Sequence, residues 1–202
     1  MSNFFSGIRS LGNIGTGNAD SAGRTIISGK AGPGFSNFSM IFPFTPMVNI
    51  THAASYAPYN LTHTNYSVMA YQGTSSPQMQ VTGQFTNHTK EEHEYTLKCI
   101  NFLRTATKMH YGRNDGLAGT PPPVCRFSSH GKNMFNQVPV VITDFATPLE
   151  NNVDQIEHNG VFLPSIMTIS VSLMVHVNPA RQKNQFSLSD MASGNAAKNG
   201  FI

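Results

Sequence analysis

The segment Thr168–Val177 constrains the fold of this chain more than any other. Apolar residues alternate along it with polar or weakly polar ones, which is the pattern of a β-strand with one buried and one open face. Strands of this kind are typical of antiparallel sheets. The residues expected to face the core are Ile169, Val171, Leu173, Val175 and Val177, and those expected to face outward are Thr168, Ser170, Ser172, Met174 and His176.

Further strands are predicted where short apolar or β-branched runs end in turn residues. The turn signal Gly73–Pro77 predicts that the two strands flanking it form a hairpin. The run Gly119–Pro123 predicts a rigid, extended lead into the strand after it, because three prolines remove three backbone donors. The strands predicted from the short apolar or β-branched runs are Met47–Ala53, Ser67–Tyr71, Gln78–Gln84, Val124–Ser128 and Val138–Phe145.

One helix is predicted over Lys90–His110. Thr89 followed by Glu92 has the form of a capping box, and Gly112 is placed to close the helix. The apolar stripe predicted to pack on a sheet is Tyr95, Cys99, Phe102, Leu103, Ala106 and Met109, and the outward residues are Lys98, Asn101, Arg104 and Thr105. About six strands and one flanking helix predict a mainly β fold, an antiparallel β-sandwich or barrel, with flexible termini.

The two ends of the chain differ from its middle in composition. Residues 1–40 are rich in Gly, Ser and Asn and are interpreted as a flexible N-terminal arm, or as an arm that orders against a partner. Residues 41–190 form the predicted domain, and residues 191–202 form a flexible C-terminal tail. Both ends are candidate docking tails.

Charge and hydropathy restrict the classes of function. Charged residues make up only 11% of the chain, so its surface is covered largely by uncharged polar groups, which favours protein neighbours. The formal net charge is +3 and like charges form no long run, which gives a nucleic-acid interface little support. No signal peptide and no membrane-spanning run are recognised, so a soluble, unsecreted chain with no membrane partner is expected.

The residue types that could bind a metal or take part in catalysis form no recognisable motif. Eight histidines show no metal-ligand spacing, and neither Cys99 nor Cys125 belongs to a CxxC pair. Cys99 lies on the apolar helix stripe, and both thiols are interpreted as buried and inert. Glu91 and Glu92 are helix-cap residues, and the remaining acids are scattered. The sequence therefore predicts no catalytic, cofactor-binding or metal-binding residue, no cofactor, and no enzymatic activity.

The order of several segments resembles the tail tube and baseplate tube-initiator proteins of contractile-tailed bacteriophages. The resemblance covers roughly residues 41–177, and its strongest part is FLRTATKMHYG followed by AGTPPPVCRFSSHG and MFNQVPVVITDF. The other segments that carry it are FPFTP, ITHAASY, LTHTNY, VTGQFTNHTKEEHEYTLKCIN, VDQIE and LPSIMTISVSL.

The resemblance implies an architectural role. Such proteins have a tail-tube fold of two packed antiparallel sheets with a flanking helix, and six copies close into a ring whose inner strands line a channel for DNA. It implies a homohexameric virion protein at the junction of baseplate and tail tube, assembled in the host cytoplasm. Adjacent tube and hub proteins and a tape measure protein are the implied partners, and viral DNA passes through transiently and non-specifically.

Three alternatives stay open at the level of sequence. The chain could instead occupy another ring position, as the main tail tube subunit or as a hub ring above the spike, and the GTPPPVCRFSSHG and MFNQVPVV segments favour the initiator. A nucleic-acid-binding module requires Arg104, Lys108, Arg113, Arg126 and Lys132 to cluster in space. A tail-associated hydrolase requires a concave site with a titratable group whose pKa is shifted.

Overall fold

The computed structural model describes residues 23–30, 37–112, 116–149 and 153–202. The described part is mainly β, with antiparallel pairing in every sheet, as predicted. Its strands are β1 (Ile26–Lys30), β2 (Asn37–Ile41), β3 (Met47–Thr51), β4 (Ala54–Tyr59), β5 (Val68–Thr74), β6 (Gln78–Thr86), β7 (Cys125–Ser129), β8 (Phe135–Ala146), β9 (Gln155–His158), β10 (Val161–Pro164) and β11 (Ile166–Val175). Its helices are α1 (Lys90–Ala106), α2 (Pro179–Gln185), α3 (Leu188–Ser193) and a 3-10 helix (Asn195–Asn199).

The main sheet has seven strands in the order β2-β1-β7-β8-β11-β6-β3, and two ribbons, β4–β5 and β9–β10, complete the fold. The two edge strands, β2 and β3, are consecutive in the chain and are joined by the link Phe42–Pro46. Seven flat strands spaced about 4.8 Å apart place the edges about 29 Å from each other. The extended link spans at most about 21 Å. The sheet must therefore roll, which agrees with the predicted antiparallel β-sandwich or barrel.

Contacts across the roll agree with this geometry. The ring of Phe42, just after β2, lies with its centroid 5.6 Å from that of Phe85 on β6, near the opposite edge of the sheet. A side chain at Gly83 would collide with the Phe42 ring, so the glycine is required by this close approach.

The core lies between α1 and the enclosed side of the sheet. Strand β11 alternates as predicted, with Ile169, Val171 and Leu173 buried and the intervening serines half-buried. The core also includes Ile27, Met40, Phe42, Met79, Val81, Phe85, Cys99, Phe102, Leu103, Ala106, Phe127, Val138, Val140, Ile142 and Met167.

Helix α1 begins as predicted. The Thr89 hydroxyl accepts from the Glu92 backbone N–H at 3.2 Å, and the Glu92 carboxylate accepts from the Thr89 N–H, which completes the capping box. The helix ends at Ala106 rather than His110, because the Lys108 N–H donates to the Thr105 carbonyl and the His110 N–H donates to the Thr120 carbonyl instead of continuing the helical ladder. Met109, predicted on the buried stripe, is therefore exposed.

The Tyr95 side chain joins α1 to an edge of the sheet. Its hydroxyl accepts from the Ile41 N–H at 2.7 Å and donates to the Ile41 carbonyl at 2.9 Å. Both backbone groups of the last residue of β2 are thus paired with a side chain instead of a neighbouring strand.

The hairpin predicted around Gly73–Pro77 is wrong. Strand β5 pairs with β4, which the sequence analysis does not predict, and β6 pairs with β3 and β11. The stretches β3–β4 and β5–β6 are the two arms of one long hairpin that turns at residues 60–67. Pro58 within β4 concealed the strand, because proline disfavours sheet interiors and is tolerated in a two-stranded ribbon.

The boundaries predicted for the termini need correction. Residues 26–30 and 37–41, assigned to the flexible arm, form β1 and β2 of the main sheet, where Ile27 and Met40 are fully buried. Residues 191–202, assigned to a flexible tail, form helical turns that end with Phe201 buried. These segments contain only short apolar pairs among Gly and Ser residues, so their sequence pattern did not predict ordered structure. The rest of the predicted arm, residues 1–22 and 31–36, lies outside the described residues.

Candidate assembly surfaces

The β4–β5 ribbon continues the β3–β6 pair beyond the sheet. Thr51 pairs with Gln78 at the end of the sheet, and Ala54 pairs with Thr74 where the ribbon starts. The Ser75 N–H donates to the Ala53 carbonyl at 3.0 Å and bridges the two pairings. Since β4 and β5 pair only with each other among the described residues, the ribbon projects from the body as a free two-stranded arm.

Both faces of this ribbon are exposed to solvent. Along β4 and β5 almost every residue is exposed, and Tyr56, with 57% of its surface accessible, meets Tyr71 edge to face across the ribbon, with 5.6 Å between the ring centroids. A two-stranded ribbon with no covered face is marginally stable in water. The large apolar side chains that it exposes, including those of its turn, are Tyr56, Tyr59, Leu61, Tyr66, Val68, Met69 and Tyr71.

The ribbon lies in a stretch of chain without formal charge. No Asp, Glu, Lys or Arg occurs between Lys30 and Lys90. Depletion of charge together with exposed Tyr and Met is the compositional signature of the buried centre of a protein interface. The low overall charge alone does not locate the surface, whereas this local gap is the sequence signal that could have located it.

The outer side of β6 and β11 forms a second surface, the polar face, defined by Gln80, Thr82, Ser170 and Ser172. The Thr82 and Ser170 hydroxyls lie 3.2 Å apart, and the Gln80 amide donates to the Ser170 hydroxyl at 3.4 Å. These four side chains carry no charge, and the hydrogen bonds of Gln80 and Thr82 to Ser170 run across from β6 to β11. The polar face is therefore hydrophilic and uncharged at these four positions, and the exposed Asp144 of β8 lies opposite Ser172 at its border.

The two edges of the main sheet form a third surface. Among the described residues, β2 pairs only with β1 and β3 pairs only with β6. An open edge presents unpaired N–H and C=O groups to any extended chain that approaches it. Monomeric proteins often place charged side chains on such edges, which prevents pairing with another chain. Strand β3, Met47–Thr51, contains no charged residue.

The basic residues that a nucleic-acid interface requires are spread over different sides of the molecule. Arg104 is exposed on the outer side of α1, which covers the core side of the sheet. Arg126 points to the other side of β7, where its guanidinium donates to the Gln137 carbonyl at 3.3 Å. Lys132 belongs to the loop between β7 and β8, and Arg113 lies outside the described residues. The helix and the sheet therefore separate Arg104 from Arg126.

Neither thiol is suited to nucleophilic chemistry. Burial raises the pKa of Cys99 from an ordinary 9.0 to about 12 and the pKa of Cys125 to about 11, so both stay protonated at neutral pH. Burial also raises the pKa of Tyr95 well above its usual value. Within the described ranges, no three His, Cys, Asp or Glu side chains converge to hold a metal ion.

Comparisons with known proteins leave the family of this chain open. No family model matches the sequence, and no curated protein matches it. A chain of the anti-feeding prophage baseplate, six-fold symmetrised, aligns with a TM-score of 0.38 and 10% identity over 80% of this chain and 95% of that one. A chain from the tail of an empty GTA particle with C6 symmetry aligns with a TM-score of 0.34 and 8% identity over 81% and 96% of the two chains. TM-scores and sequence identities this low do not establish a shared family. In the described ranges, no helix has the length and hydropathy that a membrane crossing needs.

Proposed function

We propose that this chain is a non-enzymatic structural subunit of a contractile phage-type tail. It forms a hexameric ring at the junction of baseplate and tail tube, lines the DNA-ejection channel and templates tube assembly. The observation that carries the proposal is the β4–β5 ribbon, an uncharged, Tyr-rich arm with both faces exposed.

The ribbon supports assembly because an isolated chain gains little from ordering it. Fixing each residue costs about 1–2 kcal/mol of backbone conformational entropy, and a ribbon that covers no apolar surface recovers little of this cost. Burial against a neighbouring copy removes Tyr56, Val68 and Met69 from water, at about 25 cal/mol per Å² of apolar surface. Burial of the ribbon against other copies therefore supplies stabilisation that the single chain lacks.

The polar face supports a channel wall. DNA that moves through a pore is held back by fixed positive charge, because each Lys or Arg that neutralises a phosphate releases counterions and strengthens binding. Gln80, Thr82, Ser170 and Ser172 offer hydrogen bonds without charge. In this proposal they face the lumen, while the uncharged edge of β3 faces the next subunit in the ring.

The position in the tail and the partners follow from the sequence resemblance. The GTPPPVCRFSSHG and MFNQVPVV segments favour a baseplate-proximal initiator, with tube and hub proteins above and below it and a tape measure protein in its channel. The protein then belongs to the virion and is assembled in the host cytoplasm. A main tail tube subunit is the second candidate, and it differs by forming long stacks without a baseplate partner.

The first test is the mass of the purified chain by light scattering, followed by negative-stain images of the largest species. Rings or short stacks with a central hole are expected. The double variant Tyr56→Ser/Tyr71→Ser should raise the concentration needed for assembly by about 30-fold or more, since one buried interface aromatic contributes about 2 kcal/mol.

A matched pair of single variants makes this test specific. Tyr66 in the ribbon turn is 88% exposed and Tyr111 beyond α1 is 86% exposed, so both lose equal accessible surface when changed to Ser. Only Tyr66→Ser should weaken assembly. A chain that stays monomeric at all concentrations, and also after addition of baseplate extract, would contradict the proposal.

A further inference from the structure

The turn between β9 and β10 contains the first of two Asn-Gly steps in this chain. Asn159 and Gly160 form this step, and Asn199 and Gly200 form the second one, at the end of the 3-10 helix. Asparagine loses ammonia most readily when glycine follows it, because glycine has no side chain to hinder attack by its own backbone nitrogen. The fold gives the two steps opposite environments.

The step at Asn159 and Gly160 is exposed to solvent. The two residues have positive φ angles of 52° and 76°, as a two-residue hairpin turn requires. A Cβ placed on Gly160 would meet no atom within 4 Å beyond its chain neighbours. The Gly160 N–H donates no hydrogen bond to the rest of the described chain. Its nitrogen is therefore accessible and unpaired.

The step at Asn199 and Gly200 is held by its surroundings. Gly200 is buried, and its N–H donates to the Ala197 carbonyl at 3.0 Å. A Cβ on Gly200 would lie 3.0 Å from the carbonyl oxygen of Gln137 on β8, so the backbone there is tightly packed. Arg181 donates a hydrogen bond to the Asn199 carbonyl. The nitrogen that would attack is therefore paired, and the backbone beside it is fixed.

We propose that Asn159 is a site of spontaneous covalent modification in the folded chain. The Gly160 nitrogen attacks the side-chain carbonyl carbon of Asn159 and gives up its proton, and a new C–N bond forms. The bond from that carbon to the side-chain amide nitrogen breaks, and ammonia leaves. The resulting succinimide takes up one water, which opens the ring at either carbonyl and gives aspartate or isoaspartate. Water is the only co-reactant, and no group is oxidised or reduced.

Local opening of the turn allows the reaction. Closure of the succinimide ring requires the Asn159 backbone to leave its left-handed conformation, so the turn must open transiently. Strands β9 and β10 form four residue pairs and pair only with each other among the described residues, which makes such opening easy. The same event at Asn199 requires Gly200 to leave its packed position beside β8. The fold therefore favours reaction at Asn159.

The isoaspartate product should loosen the β9–β10 ribbon from α1. Isoaspartate places its Cβ in the main chain and so lengthens a turn of two residues, whereas aspartate suits the same turn. The neighbouring His158 contacts α1, where its ring lies 5.7 Å from that of His93 and its Nε2 lies 3.4 Å from a Glu94 carboxylate oxygen. A longer turn disturbs these contacts. The modification belongs to the single chain and does not depend on the proposed function.

Incubation of the purified chain at neutral pH, followed by peptide mapping with mass spectrometry, tests the proposal. Conversion of amide to acid should be about tenfold faster or more at Asn159 than at Asn199, because only the first step opens locally. In urea the two rates should approach each other, since the fold no longer distinguishes the two steps. Equal rates in the folded chain, or a ratio that persists in urea, would overturn the proposal.

The variant Arg181→Ala provides a matched control. It removes the hydrogen bond to the Asn199 carbonyl and the guanidinium that lies 5.3 Å from the centroid of the Phe201 ring. Conversion at Asn199 should become several-fold faster in this variant, and conversion at Asn159 should keep its rate. An unchanged rate at Asn199 would contradict protection by the fold.

The variant Asn159→Asp separates the new charge from the longer main chain. Hydrogen exchange of the β9–β10 amides should be faster in the isoaspartate form, purified from incubated protein, than in Asn159→Asp. Equal exchange in the two forms would contradict loosening of the ribbon.

Discussion

The long hairpin from β3 to β6 has two halves of similar sequence and opposite environment. In the half nearest the body, Met79, Val81 and Phe85 point into the core beneath α1 and are buried. In the ribbon half, Tyr56, Val68 and Met69 have comparable size and hydropathy and remain exposed. Both halves form strands, but the burial of their side chains depends on what lies opposite them. The body supplies a helix to cover its half, and no described element covers the ribbon.

The largest expected difference between the halves is in side-chain truncation. Phe85→Ala should lower the free energy of unfolding of the single chain by about 3–5 kcal/mol, because it removes a fully buried ring that packs on Phe42. Tyr56→Ala should change it by less than about 0.5 kcal/mol. Urea denaturation at concentrations below assembly measures both. Equal losses would mean that the ribbon is packed in the single chain.

An added methyl group should also destabilise the fold more in the half of the hairpin nearest the body than in the ribbon half. Gly83→Ala in β6 should destabilise the chain by about 1–3 kcal/mol, since the new methyl group meets the Phe42 ring and Pro46. Gly73→Ala in β5 has open space around it and should be nearly neutral. The midpoints of thermal unfolding of the two variants provide the comparison, and a neutral Gly83→Ala would show that the link can move away.

The loss of stability at alkaline pH should arise from groups in the body of the fold and not in the ribbon, because both cysteines lie in the body. Their pKa values are raised on folding, from an ordinary 9.0 to about 12 for Cys99 and about 11 for Cys125. Between pH 9 and 12 the unfolded chain therefore binds fewer protons than the folded one, so stability present below pH 9 is lost as pH rises, by at most about 1.4 kcal/mol per pH unit for each thiol.

Denaturation measured at several alkaline pH values tests this expectation. The variant Cys99→Ala/Cys125→Ala should show a shallower loss of stability in this window than the unsubstituted chain. An identical slope in the two proteins would assign the alkaline loss to other groups, among them Tyr95, whose pKa is also raised by burial.

The smallest expected difference concerns two threonine hydroxyls. Thr89→Ala should cost about 1 kcal/mol of unfolding free energy, because its hydroxyl caps α1 and the helix covers the core. Thr64→Ala in the ribbon turn removes a bond to the Leu61 carbonyl on an exposed loop and should cost less than about 0.5 kcal/mol. Helicity by circular dichroism should report only the first change.

The parts of the fold that could be predicted from the sequence are those in which local and tertiary signals agree. Strand β11 alternates because α1 covers one of its faces, and the Thr89–Glu92 capping box is entirely local. The missed elements lack such agreement. Strand β4 contains Pro58 and has no buried face, so neither alternation nor propensity marked it.

The candidate surfaces were less accessible to sequence reasoning than the strands. Strands β1 and β2 gain their stability from long-range pairing with β7 and from Tyr95, which no local window contains. The position of the C-terminal turn, residues 195–202, depends on Gly200 meeting an irregularity in β8 that lies far away in the chain. The neutral ribbon was visible as a stretch without charged residues, although its exposure required the structure.

The link Phe42–Pro46 gives the rolled sheet an unusual response to force. A pull applied to β2 by a neighbour on one side reaches β3, and hence a neighbour on the other side, through a few covalent bonds stiffened by Pro43 and Pro46. The tension does not have to cross the ladders of hydrogen bonds between the seven strands. In the ring that we propose, tension around the circle would run along the polypeptide backbone at each of these links.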